Sequence, residues 1–157
     1  MEYAVLGTGG VGRSLIADVL ATHPGVRVSA FDQSQAALAG LAALGAGDRL
    51  AARPVDAADR AAVAAAIAKA DVVVNATDGS RSIEILEACI AARRHYVDVH
   101  GTLLVNERLA LDERARAAGI TALIGMGCSP GITNMLAAHG ARHAEGGIEV
   151  AIEYLTQ

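Results

Sequence analysis

The residues with the clearest chemistry come first in the chain. Gly7, Gly9 and Gly12 fall at G-x-G-x-x-G spacing within Gly7-Thr8-Gly9-Gly10-Val11-Gly12, directly after the apolar run Tyr3-Ala4-Val5-Leu6. Asp32 follows twenty residues after Gly12. A short strand, this glycine spacing, a helical pattern and a delayed acid together form a dinucleotide-binding fingerprint. Gly7 lets the chain turn tightly out of the strand. Gly9, lacking a Cβ, lets a diphosphate approach the backbone, and Gly12 lets the helix pack close to the sheet. The helix opening at Gly10 and Val11 then offers free N–H groups and a partial positive charge to phosphates. In a chain with 17 glycines the spacing alone carries little; the strand, helix and acid around it make it specific.

The other candidates fall where such a ligand would lie, beyond the carboxyl ends of the strands of an open α/β sheet. Asp32 and Gln33 end a strand-like run, and a carboxylate there accepts from the adenosine ribose and repels a 2′-phosphate. No Lys or Arg occurs from Val28 through Leu44, which points to NAD, with NADP disfavoured. The plainer reading is that Asp32 caps the next helix. Asp56 has two readings of equal standing, an acceptor for the adenine amino group and a helix N-cap. Asn75, Ala76 and Thr77 leave a strand where the nicotinamide half would sit, beside the turn residues Asp78 and Ser80. Asp98 and His100 share one strand face, with His95 on the other. A metal would need Cys128 as third ligand, and with no tight ligand spacing no metal site is assigned. Cys128 as a nucleophile lacks a recognisable base in the sequence. Cys128, Ser129, Pro130 and Gly131 belong to the glycine-rich loop Gly125–Asn134, which enters a helix beside the expected nicotinamide.

Alternating elements must position these groups. Strands are expected over Glu2–Leu6, Val26–Phe31, Arg49–Pro54, Asp71–Thr77, His95–Val99 and Ile120–Gly125. Helices are expected over Val11–Thr22, Gln35–Ala43, Asp59–Ala68, Ser82–Ala92 and Val105–Ala118, with a further one over Asn134–Ala144. This order implies parallel βαβ units, an α/β Rossmann domain whose doubly wound sheet carries helices on both faces. The domain is expected over residues 1–145. Beyond it, Ile148, Val150, Ile152 and Tyr154 alternate with Glu149, Ala151, Glu153 and Leu155, a period of two with acids on one side. Residues 146–157 therefore read as the first strand of an absent α+β domain, or as an edge strand of the main sheet.

Bulk properties exclude several classes. Hydrophobic residues make up 53% of the chain, with no Trp, which fits a core of Ala, Val, Ile and Leu on a parallel sheet. A net charge of −4 argues against a nucleic-acid footprint or an anionic-membrane surface. The first apolar stretch has no basic segment before it and is broken well short of a membrane span. Two cysteines make no disulfide framework, so a reduced, cytoplasmic protein is expected.

The chain resembles the saccharopine dehydrogenase-like oxidoreductases. The likeness runs through Gly7–Gly12, Asp71-Val72-Val73-Val74-Asn75-Ala76, Glu87-Ala88-Cys89-Ile90 and His95-Tyr96-Val97-Asp98 to Gly127-Cys128-Ser129-Pro130-Gly131-Ile132-Thr133-Asn134. The resemblance implies NAD(P)-linked chemistry at C–N bonds of amino-acid- or polyamine-like substrates. It also implies a following substrate-binding and dimerising domain, hence a homodimer when full length. The strand-exit positions of Asp98, His100 and residues 128–131 put them in the substrate and nicotinamide vicinity, and no catalytic residue is named. Two departures lie there: Ser129 where many relatives have Asp, and Thr77-Asp78-Gly79 where many have Gly-Pro. Two alternatives have different consequences. One is a non-catalytic NAD(H)-sensing module like those attached to potassium channels; the other is a reductase of a related imine or aldehyde class. The Pro-Gly loop and the terminal alternation weigh against the sensing module, and a substrate screen separates the two enzymes.

Overall fold

The computed structural model describes residues 1–101 and 103–143. Strands β1 (Glu2–Leu6), β2 (Arg27–Asp32), β3 (Leu50–Pro54), β4 (Val72–Asn75), β5 (His95–Asp98) and β6 (Ala122–Leu123) form one sheet. Helices α1 (Gly10–Thr22), α2 (Gln35–Gly40), α3 (Arg60–Ile67), α4 (Ser82–Ala92), α5 (Val105–Leu109), α6 (Asp112–Ala118) and α7 (Ile132–Ala141) lie between and after them. All pairings are parallel and the order is β3-β2-β1-β4-β5-β6. This is the doubly wound Rossmann sheet, with its topological switch between β1 and β4.

Alternation along the central strands builds two cores. Val5 on β1 is in register with Ala30 on β2 and Val74 on β4. These three pack on one face with Ile16 and Leu20 of α1 and with Leu41. Ala4, Leu6, Phe31 and Val73 turn to the other face and meet Val63, Ile67, Ile85, Leu86 and Cys89 of α3 and α4, with Leu111 and Ala115. Burial among apolar neighbours pushes the Cys89 thiol up to about 12, so it behaves as a small core residue. Among the described residues no helix is long and apolar enough to cross a membrane.

Three expectations are revised. The helix expected over Val105–Ala118 is two helices, because the Leu111 N–H bonds to Arg108 at 3.1 Å in a tight three-residue turn, and Leu111 faces the core. The sixth strand has only two residues on the ladder. Past it, the Gly125 and Met126 N–H groups bond to the Asp98 carboxylate and carbonyl, and Gly125 has φ +70°. A side-chain bond at Gly125 thus interrupts the regular ladder, and a single main-chain bond follows it at Met126. The final helix begins at Ile132, two residues early, and ends at Ala141. The alternating segment 148–155, with the proposed domain start at 146, lies outside the described residues.

Candidate functional site

Four strand exits build one groove at the carboxyl edge of the sheet, with a cavity of about 470 Å³. β1 contributes Gly7 and Gly9, β2 Asp32 and Gln33, β3 Asp56, and β4 Ala76 and Thr77. Seven of the residues singled out from the sequence therefore face one space.

The glycines of the first turn divide by cause. Gly7 has φ +91°, and a Cβ on it would lie 2.5 Å from the Ala76 carbonyl oxygen. A Cβ on Gly12 would run into the Gly7 carbonyl oxygen, so Gly12 is what seats α1 against the turn. Gly9 and Gly10 are different. Gly9 has an ordinary φ of −64°, and a Cβ on either residue meets no heavy atom within 4 Å. Among the described residues, no packing contact requires these two to lack a side chain. Gly9 is the N-cap of α1, makes no side-chain cap bond, and no acid occupies the first turn. The opening N–H groups and the positive end of the helix, with the exposed Val11 beside them, thus face open space.

Asp32 is half-buried and held firmly. Its Oδ2 accepts from the Thr8 N–H at 2.7 Å and the Thr8 hydroxyl at 3.0 Å, and its Oδ1 accepts from the Ser34 N–H at 2.8 Å. Burial pushes its pKa up, but these bonds outweigh that and hold the carboxyl below its ordinary range. Oδ1 keeps a free lone pair, the acceptor a ribose hydroxyl needs. Asp32 is not the cap of α2; Ser34 is, accepting from the Ala37 N–H at 3.2 Å. Asp56 likewise leaves capping to Asp59, which accepts from Ala61 and Ala62 at 2.9 and 3.0 Å. Asp56 accepts from the Ala58 N–H at 2.8 Å within its own exposed turn.

The remaining candidates form a second group that does not line this groove. Asn75 is fully buried; it donates to the Tyr96 hydroxyl at 3.1 Å and accepts from the Thr77 hydroxyl at 2.7 Å. Its side chain shapes the β4 exit from within. Tyr96 in turn donates to Asp98 at 2.9 Å. Asp98 also accepts from Arg108 Nη1 at 2.6 Å and from Gly125 N–H at 2.8 Å, and neither side chain of the Asp98–Arg108 pair is exposed. Asp98 is therefore a structural hub, with its charge matched inside the protein. Burial, mainly, holds the His100 imidazole below its ordinary pKa, and its Nε2 has no hydrogen-bond partner among the described residues. Among the described residues no group of three His, Cys, Asp or Glu could hold a metal. His95 is occupied elsewhere, its Nδ1 accepting from the Thr121 N–H at 3.0 Å.

The loop of Cys128, Ser129, Pro130 and Gly131 carries a cis Ser129–Pro130 peptide. Its glycines answer to packing: a Cβ on Gly127 would run into the Val99 carbonyl oxygen, and one on Gly131 into Gly127. Cys128 and Ser129 are exposed at its surface. Sequence reasoning passed over Arg81, which lines the groove with Asp78 and Ser80. The stretch just after the second strand holds no base, and Arg81 arrives from the fourth. Its place just past the Asn75–Ser80 strand exit was the available signal.

Residues 3–123 match the family model of the saccharopine dehydrogenase NADP binding domain. Among solved structures, saccharopine dehydrogenase (L-Glu forming) from Saccharomyces cerevisiae aligns over 90% of this chain with TM-score 0.75 and 23% identity. This chain spans 31% of that one. An NADPH-dependent quinone oxidoreductase from Escherichia coli aligns over 78% of this chain and 46% of its own, with TM-score 0.58 and 21% identity. A Citrobacter triphenylmethane reductase, solved with NADP(H), aligns over 79% and 48%, with TM-score 0.60 and 18% identity. At these identities the solved structures speak for the shared fold alone. The family match covers most of the chain, and the chain belongs to the saccharopine dehydrogenase NADP-binding-domain family.

Proposed function

We propose that this chain is the cofactor-binding domain of an oxidoreductase acting on the C–N bond of an amino-acid- or polyamine-like substrate, and that it prefers NAD(H). The observation that carries the cofactor assignment is the pair Gly9 and Gly10: side chains are absent where the protein itself leaves room for them, at an uncapped helix start. That opening fits a diphosphate. Asp32 Oδ1 would take a ribose hydroxyl, and the apolar floor at Leu6 and Ala76 would exclude water from the ligand. When bound, the nicotinamide would supply hydride transfer at C4, and the groove residues would bind and orient the cofactor. The C–N substrate class rests on family membership, and no proton-transfer residue is assigned to Asp98, whose oxygens are engaged.

The preference for NAD(H) rests on Asp32. The family model is named for NADP, but the Asp32 carboxylate, held below its ordinary pKa range, lies where this reading puts the ribose. A 2′-phosphate beside it would cost about 1–3 kcal/mol. Titration of the chain with NADH and NADPH, followed by nicotinamide fluorescence, tests both statements. Tighter NADH binding is expected, narrowing in Asp32→Ser. Gly9→Val, whose Cβ meets no heavy atom within 4 Å among the described residues, is expected to fold and to lose both cofactors. Unchanged binding by a folded Gly9→Val protein would overturn the cofactor assignment.

A further inference from the structure

The groove is bounded on its β4 side by Arg81, at the N-terminus of α4. Three carboxylates line the same space, Asp32, Asp56 and Asp78, and Arg81 is the one cation among the described residues that do. Arg81 is itself already matched. Its Nη1 lies 3.3 Å from Glu84 Oε1, one turn along α4. Asp78 is near it as well: hydrogen bonds from Ser80 chiefly hold the Asp78 pKa down, and the charges of His100 and Arg81 add to this. The groove as a whole is therefore acidic. A guanidinium already paired with a carboxylate has less field left over for a phosphate. Its flat, weakly hydrated face is still available, with the side chain half exposed.

The opposite flank carries small apolar side chains beside Asp56. β3 lies beyond β2 from β4 in the sheet order, and its exit brings Val55 and Ala57 into the groove. A slot with a guanidinium on one flank, small aliphatic side chains on the other and carboxylate acceptors at its rim suits a flat, neutral, amino-bearing heterocycle. We infer that Arg81 stacks on the purine of the dinucleotide, holding the adenosine half by its planar face and leaving the phosphates to the α1 N-terminus. This inference rests on the cofactor reading above. It adds a residue that binds NAD(H) and NADP(H) alike, whereas Asp32 separates them.

The test uses the whole chain with NADH, NADPH and ADP-ribose as probes, and the variants Arg81→Ala and Arg81→Lys, with a thermal melt as folding control. Arg81→Ala is expected to weaken all three ligands by one common factor, about five- to ten-fold. Arg81→Lys is expected to recover little, because an ammonium has no planar face. Loss confined to NADPH, with rescue by Lys, would overturn stacking in favour of a phosphate contact. Equal binding by wild type and Arg81→Ala would overturn the inference and leave the cofactor reading standing. Failure of the wild-type chain to bind any of the probes would overturn both.

Discussion

Charged residues in this protein differ by whether their partners are internal. Asp98 and Arg108 are wholly buried and answer to each other, with Tyr96, Gly125 and the carbonyls of Gly101 and Leu103 completing the shell. Removing one partner strands the other charge. Arg108→Met is expected to cost about 3–5 kcal/mol in urea denaturation. His100 adds a pH dependence. Burial lowers its pKa from 6.5; the Asp98 charge opposes this, Arg108 reinforces it and Asp78 opposes it. The folded protein binds this proton less readily than the unfolded chain does. The stability involved is full above pH 6.5 and is lost as pH falls through that value toward the folded pKa. The urea midpoint should drop on acidification through this window, and the drop should shrink in His100→Gln.

At the scale of elements, the β1–α1 turn separates two uses of glycine. Gly12 serves the fold, since its Cβ would meet the Gly7 carbonyl, whereas Gly9 borders open space. Gly12→Ala is expected to destabilise by about 3 kcal/mol, read as a lowered melting temperature. Gly9→Ala, an N-cap change with no steric contact, is expected to cost no more than about 1 kcal/mol. If both melt alike, the division is wrong. A sequence motif cannot make this distinction, because the letter is the same in both places and only the neighbouring backbone differs.

For the molecule as a whole, stability resides in the two faces of the sheet. Ile16 on one face and Ile67 on the other are fully buried, while Leu136 on α7 is 65% exposed. Ile16→Ala and Ile67→Ala are each expected to cost about 2–5 kcal/mol in chemical denaturation. Leu136→Ser is expected to change it by less than about 0.5 kcal/mol. Equal costs at all three positions would mean that α7 belongs to the core.

The sequence by itself determined the sheet and which residues gather at its carboxyl edge. Local period and glycine spacing placed β1 to β5 within one or two residues, because alternation and turn chemistry act between neighbours in the chain. It also put Gly7, Gly9, Asp32, Gln33, Asp56, Ala76 and Thr77 at one edge, since strand exits of a parallel sheet must share it. Tertiary structure decided what each side chain does there. It turned Asn75 inward to Tyr96, matched Asp98 with Arg108, and gave the caps to Ser34 and Asp59 in place of Asp32 and Asp56. It brought Arg81 into the groove from a strand exit two positions away in the sheet from that of Asp32. Each outcome depends on a partner distant in sequence or on a choice between adjacent polar groups. Burial and geometry settle such choices, and the order of residues does not encode them locally.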